Sequence, residues 1–361
     1  AMSIGKVLGG YGNPEHFKKL SVWDRRTGGK TKDEFAMPDG AALPPNLAKD
    51  LLCENRDVPD EACFDTVSAN LAITELRALA KKPEPFFLAL GLFKPHTPYK
   101  VPKRYWDLYR REDIPAIDPA ARPKNAPDIA FHANHEILGE PSARRTLDDE
   151  AQREIRHGYY AAMSFADAQF GRVLDALDEL KLRDNTIVVI IGDNGFHLGE
   201  HDTWGKMTLF GWDARVPLII SAPGIGKGGA KSRAISELID IFPTLTDLSG
   251  LPSPPQLDGT SLVPVLKDPT AAVKTAALTQ HPRPALYWGG GPQALPQVMG
   301  YALKTDRWSY HEWRDFKTGH IVGQELYDEQ TDPLETVNLA GTVDAAAVIP
   351  ALAEQLDTLV K

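Results

Sequence analysis

Residues Thr186–Lys206 read TIVVIIGDNGFHLGEHDTWGK, and the rest of the chain is arranged around them. Thr186 to Ile191 are all β-branched, the composition of a central parallel strand buried on both faces. The run stops at Gly192, and two oxygen-bearing side chains follow, Asp193 and Asn194. In open α/β sheets, ligands bind beyond the carboxyl ends of strands, where loops gather side chains without disturbing the core. A carboxylate and an amide carbonyl on that spot are hard ligands suited to calcium or magnesium. Asp193-Asn194-Gly195 is also an ordinary turn sequence, so taken alone the pair leaves both readings open.

Working outward, Leu147 to Leu180 carries an apolar stripe through Ile155, Tyr159, Ala162, Ala166, Phe170 and Val173, a long helix feeding the Ile187 strand. Arg215 to Gly224 supplies another strand with a turn behind it, and Ile235 to Leu248 a helix whose first turn is marked by Pro243. Earlier, Asp65 to Lys81 is helical by pattern with Asp65 as N-cap. Pro85 to Leu92 then reads as a second buried strand, running into Lys94-Pro95-His96-Thr97-Pro98-Tyr99. Helix followed by strand, repeated, is the unit of a doubly wound α/β sheet.

Residues 1–60 are dense in Gly, Pro and charge and read as loop, apart from Met2 to Gly5, a strand end that delivers Lys6. Residues 100–150 form a long Pro-rich connection suited to walling a pocket, with His132 and His135 as candidates. From about residue 275, Ala285–Trp288, Met299–Leu303 and Trp308–Trp313 are short aromatic strands between turns, a small antiparallel sheet closed by a helix over Ala345–Val360. Its aromatics (Tyr287, Trp288, Trp308, Tyr310 and Trp313) suit the core of that sheet, or stacking on sugar rings.

The net charge of −9 excludes a nucleic-acid partner held by the whole-molecule field, and an anionic substrate needs a local basic cluster. No apolar run approaches the roughly 18–20 residues of a membrane span, and no basic-then-apolar signal segment opens the sequence. Cys53 and Cys63 are compatible with one disulfide or with two thiols, and no CxxC pairing points to zinc. His197 and His201 are four apart, but Gly199 between them argues for a loop rather than a metal-binding helix. Gly224 to Gly229 lacks the spacing of a phosphate loop and is a turn.

Apolar runs thus end in Lys6, in His96 and in Asp193-Asn194, and Lys206 follows the Gly199-Glu200-His201 loop. A cation ringed by two lysines and a histidine suits a sulfate or phosphate ester. Positive charge would stabilise the nonbridging oxygens, and the histidine would protonate a departing alkoxide. The set is half built: calcium takes about 6–8 oxygens, and no G-x-S-x-G nucleophile elbow is present.

Gly5-Lys6, Lys94 to Tyr99, Gly192 to Gly195, Gly199-Glu200-His201, Arg215 to Leu218, Asp240 to Thr244, Asp258 to Leu262, and Glu325 to Asp328 with Asp332-Pro333 and Asn338-Leu339 occur in one order along the chain. Together they resemble the type I, formylglycine-dependent sulfatases of the alkaline phosphatase superfamily. MSIGKV, KPHTPY and MGYALKTDRWSYHEW are most similar to the iduronate-2-sulfatase branch. The resemblance implies an alkaline phosphatase-like doubly wound sheet over residues 1–274, with a smaller C-terminal α+β subdomain built on an antiparallel sheet over 275–361. It implies Ca2+, with Mg2+ as the alternative, held in part by Asp193 and Asn194. His96 and Lys206 would contact the sulfate and the leaving oxygen, and Lys6 would stand near the nucleophile. The substrate class is a small-molecule or oligosaccharide sulfate ester, and the compartment periplasmic, extracellular or lysosome-like.

Two departures stand out. The branch places a histidine three residues after the lysine, where this chain has Gly9. The paired aspartates and the Cys/Ser-x-Pro-x-Arg motif that yields formylglycine do not occur, and neither Cys53 nor Cys63 fits it. Formylglycine is therefore expected in an N-terminal segment outside this sequence, and these residues alone are expected to be inactive. Other readings are a phosphonate or phosphodiester hydrolase of the same superfamily, and a non-catalytic protein that binds sulfated glycans.

Overall fold

Short parallel strands open the described chain. The computed structural model describes residues 2–7, 26–27, 52–132, 137–138, 147–285 and 296–360. Strand β1 (Met2–Gly5) pairs in parallel with β2 (Arg26–Thr27); β3 (Cys53–Arg56) follows, and β4 (Leu88–Gly91) lies parallel to β1 on its other side. Strand β5 (Tyr99–Pro102) pairs in parallel with β3, so the stretches 1–60 and 100–150, expected as loop and connection, both contribute strand residues. The Phe64–Leu79 helix buries Ala69, Ala72, Ile73 and Leu76, one stripe at helical spacing. Cys63 occupies its N-cap position, and Asp65 sits inside the first turn rather than capping it. The Asp149–Glu179 helix starts where the Asp148 carboxylate accepts the Ala151 amide at 2.9 Å. It passes close over β5: a Cβ at Gly158 would come within 3.0 Å of the Tyr99 Cβ. These elements belong to a first compact unit, residues 1–116 and 147–185.

Residues 117–146 and 186–361 form a second unit. Here β6 (Val188–Ile191) departs from expectation. It is half-buried, Ile191 is 44% exposed, and its partner is antiparallel. The strand-forming run was legible, but β-branching serves either strand direction and does not fix the neighbour. A two-residue hairpin pair follows, β7 (His197–Leu198) and β8 (Trp204–Gly205), and then β9 (Leu218–Ser221), the partner of β6. The expected helix over 235–248 is a 3-10 turn at Leu238–Asp240 running into the Ile241–Leu248 helix.

Strands β10 (Ala277–Arg283), β11 (Val298–Lys304), β12 (Trp308–Asp315) and β13 (Ile321–Asp328) form the expected antiparallel sheet in sequential order. Leu303, Tyr310 and Leu326 make one cross-strand row and pack with Leu352 and Leu356 of the Val343–Leu359 helix. On the other face, Ala302, Trp313 and Tyr327 pack with Leu209, Phe210, Ala130 and Phe131. Tyr310 and Trp313 are fully buried, as core aromatics; Tyr287 and Trp288 lie outside the described residues. Both cysteines are free, and burial pushes each thiol up to about 12. Among the described residues no helix is long and apolar enough to cross a membrane.

Candidate active site

In the first unit the site residues start from two glycines. Gly5 ends β1, Gly91 ends β4, and the two are register partners. A Cβ at Gly91 would lie 1.9 Å from the Lys6 carbonyl oxygen, and one at Gly5 2.1 Å from that of Gly91. The backbones meet directly, and the Lys6 amide donates to the Gly91 carbonyl at 2.9 Å. Lys6 therefore leaves the sheet beside the segment that leads to His96.

That segment is tied to the Phe64–Leu79 helix by Asp65, which is 2% exposed. Its two carboxylate oxygens accept the amides of Phe93 at 2.8 Å and Lys94 at 2.9 Å. Burial raises the Asp65 carboxyl above its ordinary value, and the two amides with the Lys94 and Lys6 charges offset only part of that. Lys94 Nζ donates to the Pro98 carbonyl at 2.5 Å, closing the loop on itself. Within it the His96 amide donates to the Phe93 carbonyl, and His96 Nδ1 donates to the Thr97 carbonyl at 2.8 Å. With Nδ1 committed as a donor, Nε2 is the nitrogen whose proton can be exchanged.

In the second unit Asp193 and Asn194, both exposed, follow β6. The next residue, Gly195, donates its amide to the Asp213 carbonyl at 2.8 Å. Beyond it the β7–β8 pair, with His197 opposite Gly205, brings Lys206 back beside Phe196, and Lys206 Nζ lies 5.7 Å from that ring's centroid. Asp193, Asn194 and Lys206 thus sit on one local turn and hairpin. His132 Nε2 donates to the Lys206 carbonyl at 2.8 Å, so His132 braces the lysine's backbone; His135 lies outside the described residues. Burial holds the His132 imidazole below its ordinary value, with Arg283 adding to the effect.

Two buried carboxylates hold these segments without a mark in the sequence. For Asp65 the local pattern points only to a helix cap. Asp213 accepts from His197 Nδ1 at 2.8 Å and from the amide and hydroxyl of Thr208, both at 2.7 Å. Burial pulls the Asp213 carboxyl up, but His197 and the Thr208 donors outweigh it, and the net direction is down. Neither role has a local sequence signal, because the partners are mostly backbone amides or residues far along the chain.

Asp193 and Asn194 are oxygen donors of the kind a hard cation takes, yet they supply two of about 6–8. Among the described residues no three His, Cys, Asp or Glu side chains gather as a metal cluster. The pair fits part of a calcium or magnesium site.

Residues 10–251 match the family model described as Sulfatase, and residues 199–361 match N-sulphoglucosamine sulphohydrolase, C-terminal. The chain is 30% identical over 361 residues to iduronate 2-sulfatase of Mus musculus, covering 81% of this chain and 65% of that protein. Among solved structures, the phosphonate monoester hydrolase of Agrobacterium radiobacter aligns with a TM-score of 0.71 at 25% identity, covering 90% of this chain and 65% of that one. Another, solved in complex with its substrate D-glucosamine-2-N,6-O-disulfate, aligns with a TM-score of 0.66 at 20% identity, covering 80% of this chain and 68% of that one. At that identity the likeness speaks for the fold, an α/β architecture with a C-terminal antiparallel sheet. The Sulfatase match alone takes in more than half of these residues, and the chain belongs to the sulfatase family.

Proposed function

We propose that the protein hydrolyses a sulfate ester carried on a sulfated carbohydrate. The observation that carries this reading is the Sulfatase match over residues 10–251, which encloses His96, Asp193, Asn194 and Lys206. Lys206 and Lys6 supply ammonium groups for the nonbridging sulfate oxygens, where charge must be balanced as the S–O bond breaks. His96 delivers a proton from Nε2 to the departing alcohol oxygen, its ring held by the Nδ1 bond to the Thr97 carbonyl. Asp193 and Asn194 would hold a calcium or magnesium ion together with donors from elsewhere, and that ion would supply further positive charge to the sulfate. The attacking group is assigned to no residue of this chain, because the Cys/Ser-x-Pro-x-Arg motif is not among its 361 residues. A periplasmic, extracellular or lysosome-like location follows from the same family reading.

The test is sulfate release, followed by ion chromatography, from sulfated disaccharides given to the protein expressed from its whole reading frame. Release that disappears when Lys206 or Asp193 is replaced supports the reading; absence of release from sulfated sugars and aryl sulfates alike refutes it. A second reading, phosphonate monoester hydrolysis, is favoured by the 0.71 TM-score alignment over 90% of the chain. Parallel rates on phenyl phosphonate monoesters separate the two.

A further inference from the structure

Lys206 is presented by an unusual piece of backbone. It lies between Gly205 at φ 143° and Met207 at φ 83°, and the latter is a left-handed conformation that a side-chain-bearing residue adopts only when its surroundings impose it. Three contacts impose it. Arg283 Nη1 donates to the Met207 carbonyl at 3.1 Å, His132 Nε2 donates to the Lys206 carbonyl, and the Thr208 amide and hydroxyl are both taken by Asp213.

Asp213 reaches in the other direction as well. Its backbone carbonyl holds the Gly195 amide, one residue beyond Asn194, and its second carboxylate oxygen holds His197 Nδ1. The fit at Gly195 is tight: a Cβ there would lie 2.0 Å from the Trp212 carbonyl oxygen. One buried residue is therefore bonded to the turn that carries Asp193 and Asn194 and to the segment that carries Lys206. A carboxylate is a costly group to bury for hairpin stability alone, since an apolar side chain would fill the space without desolvating a charge. Its three convergent donors fix two chain segments at once.

We propose that Asp213, acting through His197 and Thr208, is a positioning residue that sets the separation between Lys206 Nζ and the Asp193–Asn194 pair. The proposal rests on the role assigned to Lys206 in sulfate ester hydrolysis. Asp213 touches no reacting atom. It fixes where the ammonium stands relative to the oxygen donors, and a displacement of about 1 Å at such a group costs on the order of 100-fold in rate.

The test uses the full-length protein with Asp213→Asn, Asp213→Glu, Thr208→Val and His197→Gln. Hydrogen exchange read by mass spectrometry should show peptides over 195–198 and 206–210 opening together in Asp213→Asn, by about tenfold or more, while β11–β13 keep their protection. Turnover of 4-nitrophenyl sulfate should fall about 100-fold in kcat with KM within about threefold, Thr208→Val should follow in the same sense to a smaller degree, and Asp213→Glu should recover part of the loss. Exchange that rises in one segment only or in neither overturns the proposal, as does unchanged kcat when both loosen. If the unmutated protein turns over no sulfate ester, the sulfatase reading fails, and the exchange pattern alone then decides whether Asp213 couples the two segments. Should Asp213→Asn fail to fold, Thr208→Val, which removes the hydroxyl donor and keeps the amide, carries the same comparison.

Discussion

Asp65 accepts the Lys94 amide at 2.9 Å on one carboxylate oxygen while its other oxygen takes the Phe93 amide at 2.8 Å. A carboxylate in the first turn of one helix thereby anchors the start of the loop that ends at Tyr99 and contains His96.

Replacing Asp65 with Ala leaves both amides without an acceptor. Partly buried donors stripped of a charged acceptor cost about 1–3 kcal/mol in total. Urea unfolding of Asp65→Ala should show that loss, with Asp65→Asn intermediate. A sulfate ester turnover that stayed at the unmutated level in Asp65→Ala would show that the loop does not depend on this anchor.

Stability should fall on mild acidification. Burial, aided by the charge of His197, holds His201 below its ordinary value of 6.5, and burial with the Arg283 charge does the same to His132 and His281. As pH drops below about 6.5 the unfolded chain takes up protons at these rings while the folded chain does not, so folding is penalised until the lowered folded values are reached. The urea midpoint should be highest above pH 7 and decline from about 6.5 downward, and His201→Gln should flatten part of the decline. A profile that is level between pH 5 and 7 contradicts this.

Two glycine substitutions should move stability in opposite directions. Gly91→Ala drives a Cβ into the Lys6 carbonyl, which is backbone and cannot rotate away, so the β1–β4 pair must separate. A loss of about 3 kcal/mol or more is expected, beyond ordinary overpacking. Gly171→Ala, inside the Asp149–Glu179 helix with nothing within 4 Å of the new Cβ, should gain about 0.5–1 kcal/mol. Thermal unfolding of both variants checks the pair.

The parts legible in the sequence were those written in local periodicity. The Leu147–Leu180 stripe gave a helix that spans Asp149–Glu179, and the aromatic segments after residue 275 gave an antiparallel sheet. The direction in which β6 pairs was not legible, because Val and Ile suit parallel and antiparallel ladders alike. Asp65 and Asp213 escaped for a different reason. Asp65 finds its partners 28 and 29 residues away, and those partners are backbone amides that any residue could supply. Asp213 finds His197 16 residues back, across a hairpin whose closure depends on tertiary contacts. Side chains that carry chemistry can be marked by motif, whereas those that hold them in place are marked only by the fold.

His96 offers the sharpest test of the proposed chemistry, which gives its two ring nitrogens separate tasks. Nδ1 donates to the Thr97 carbonyl at 2.8 Å, which fixes the ring plane and leaves Nε2 for the proposed proton transfer. If Nε2 protonates the departing oxygen, its value depends on how poor the leaving group is. A sugar or alkyl alkoxide cannot leave unprotonated, whereas 4-nitrophenolate can. His96→Ala in the full-length protein should therefore lose about 10²–10⁴ in kcat on a sugar sulfate and less than about tenfold on 4-nitrophenyl sulfate. Equal losses on both esters would mean that His96 serves the sulfate oxygens, and the proton for the alcohol would then have to come from another group.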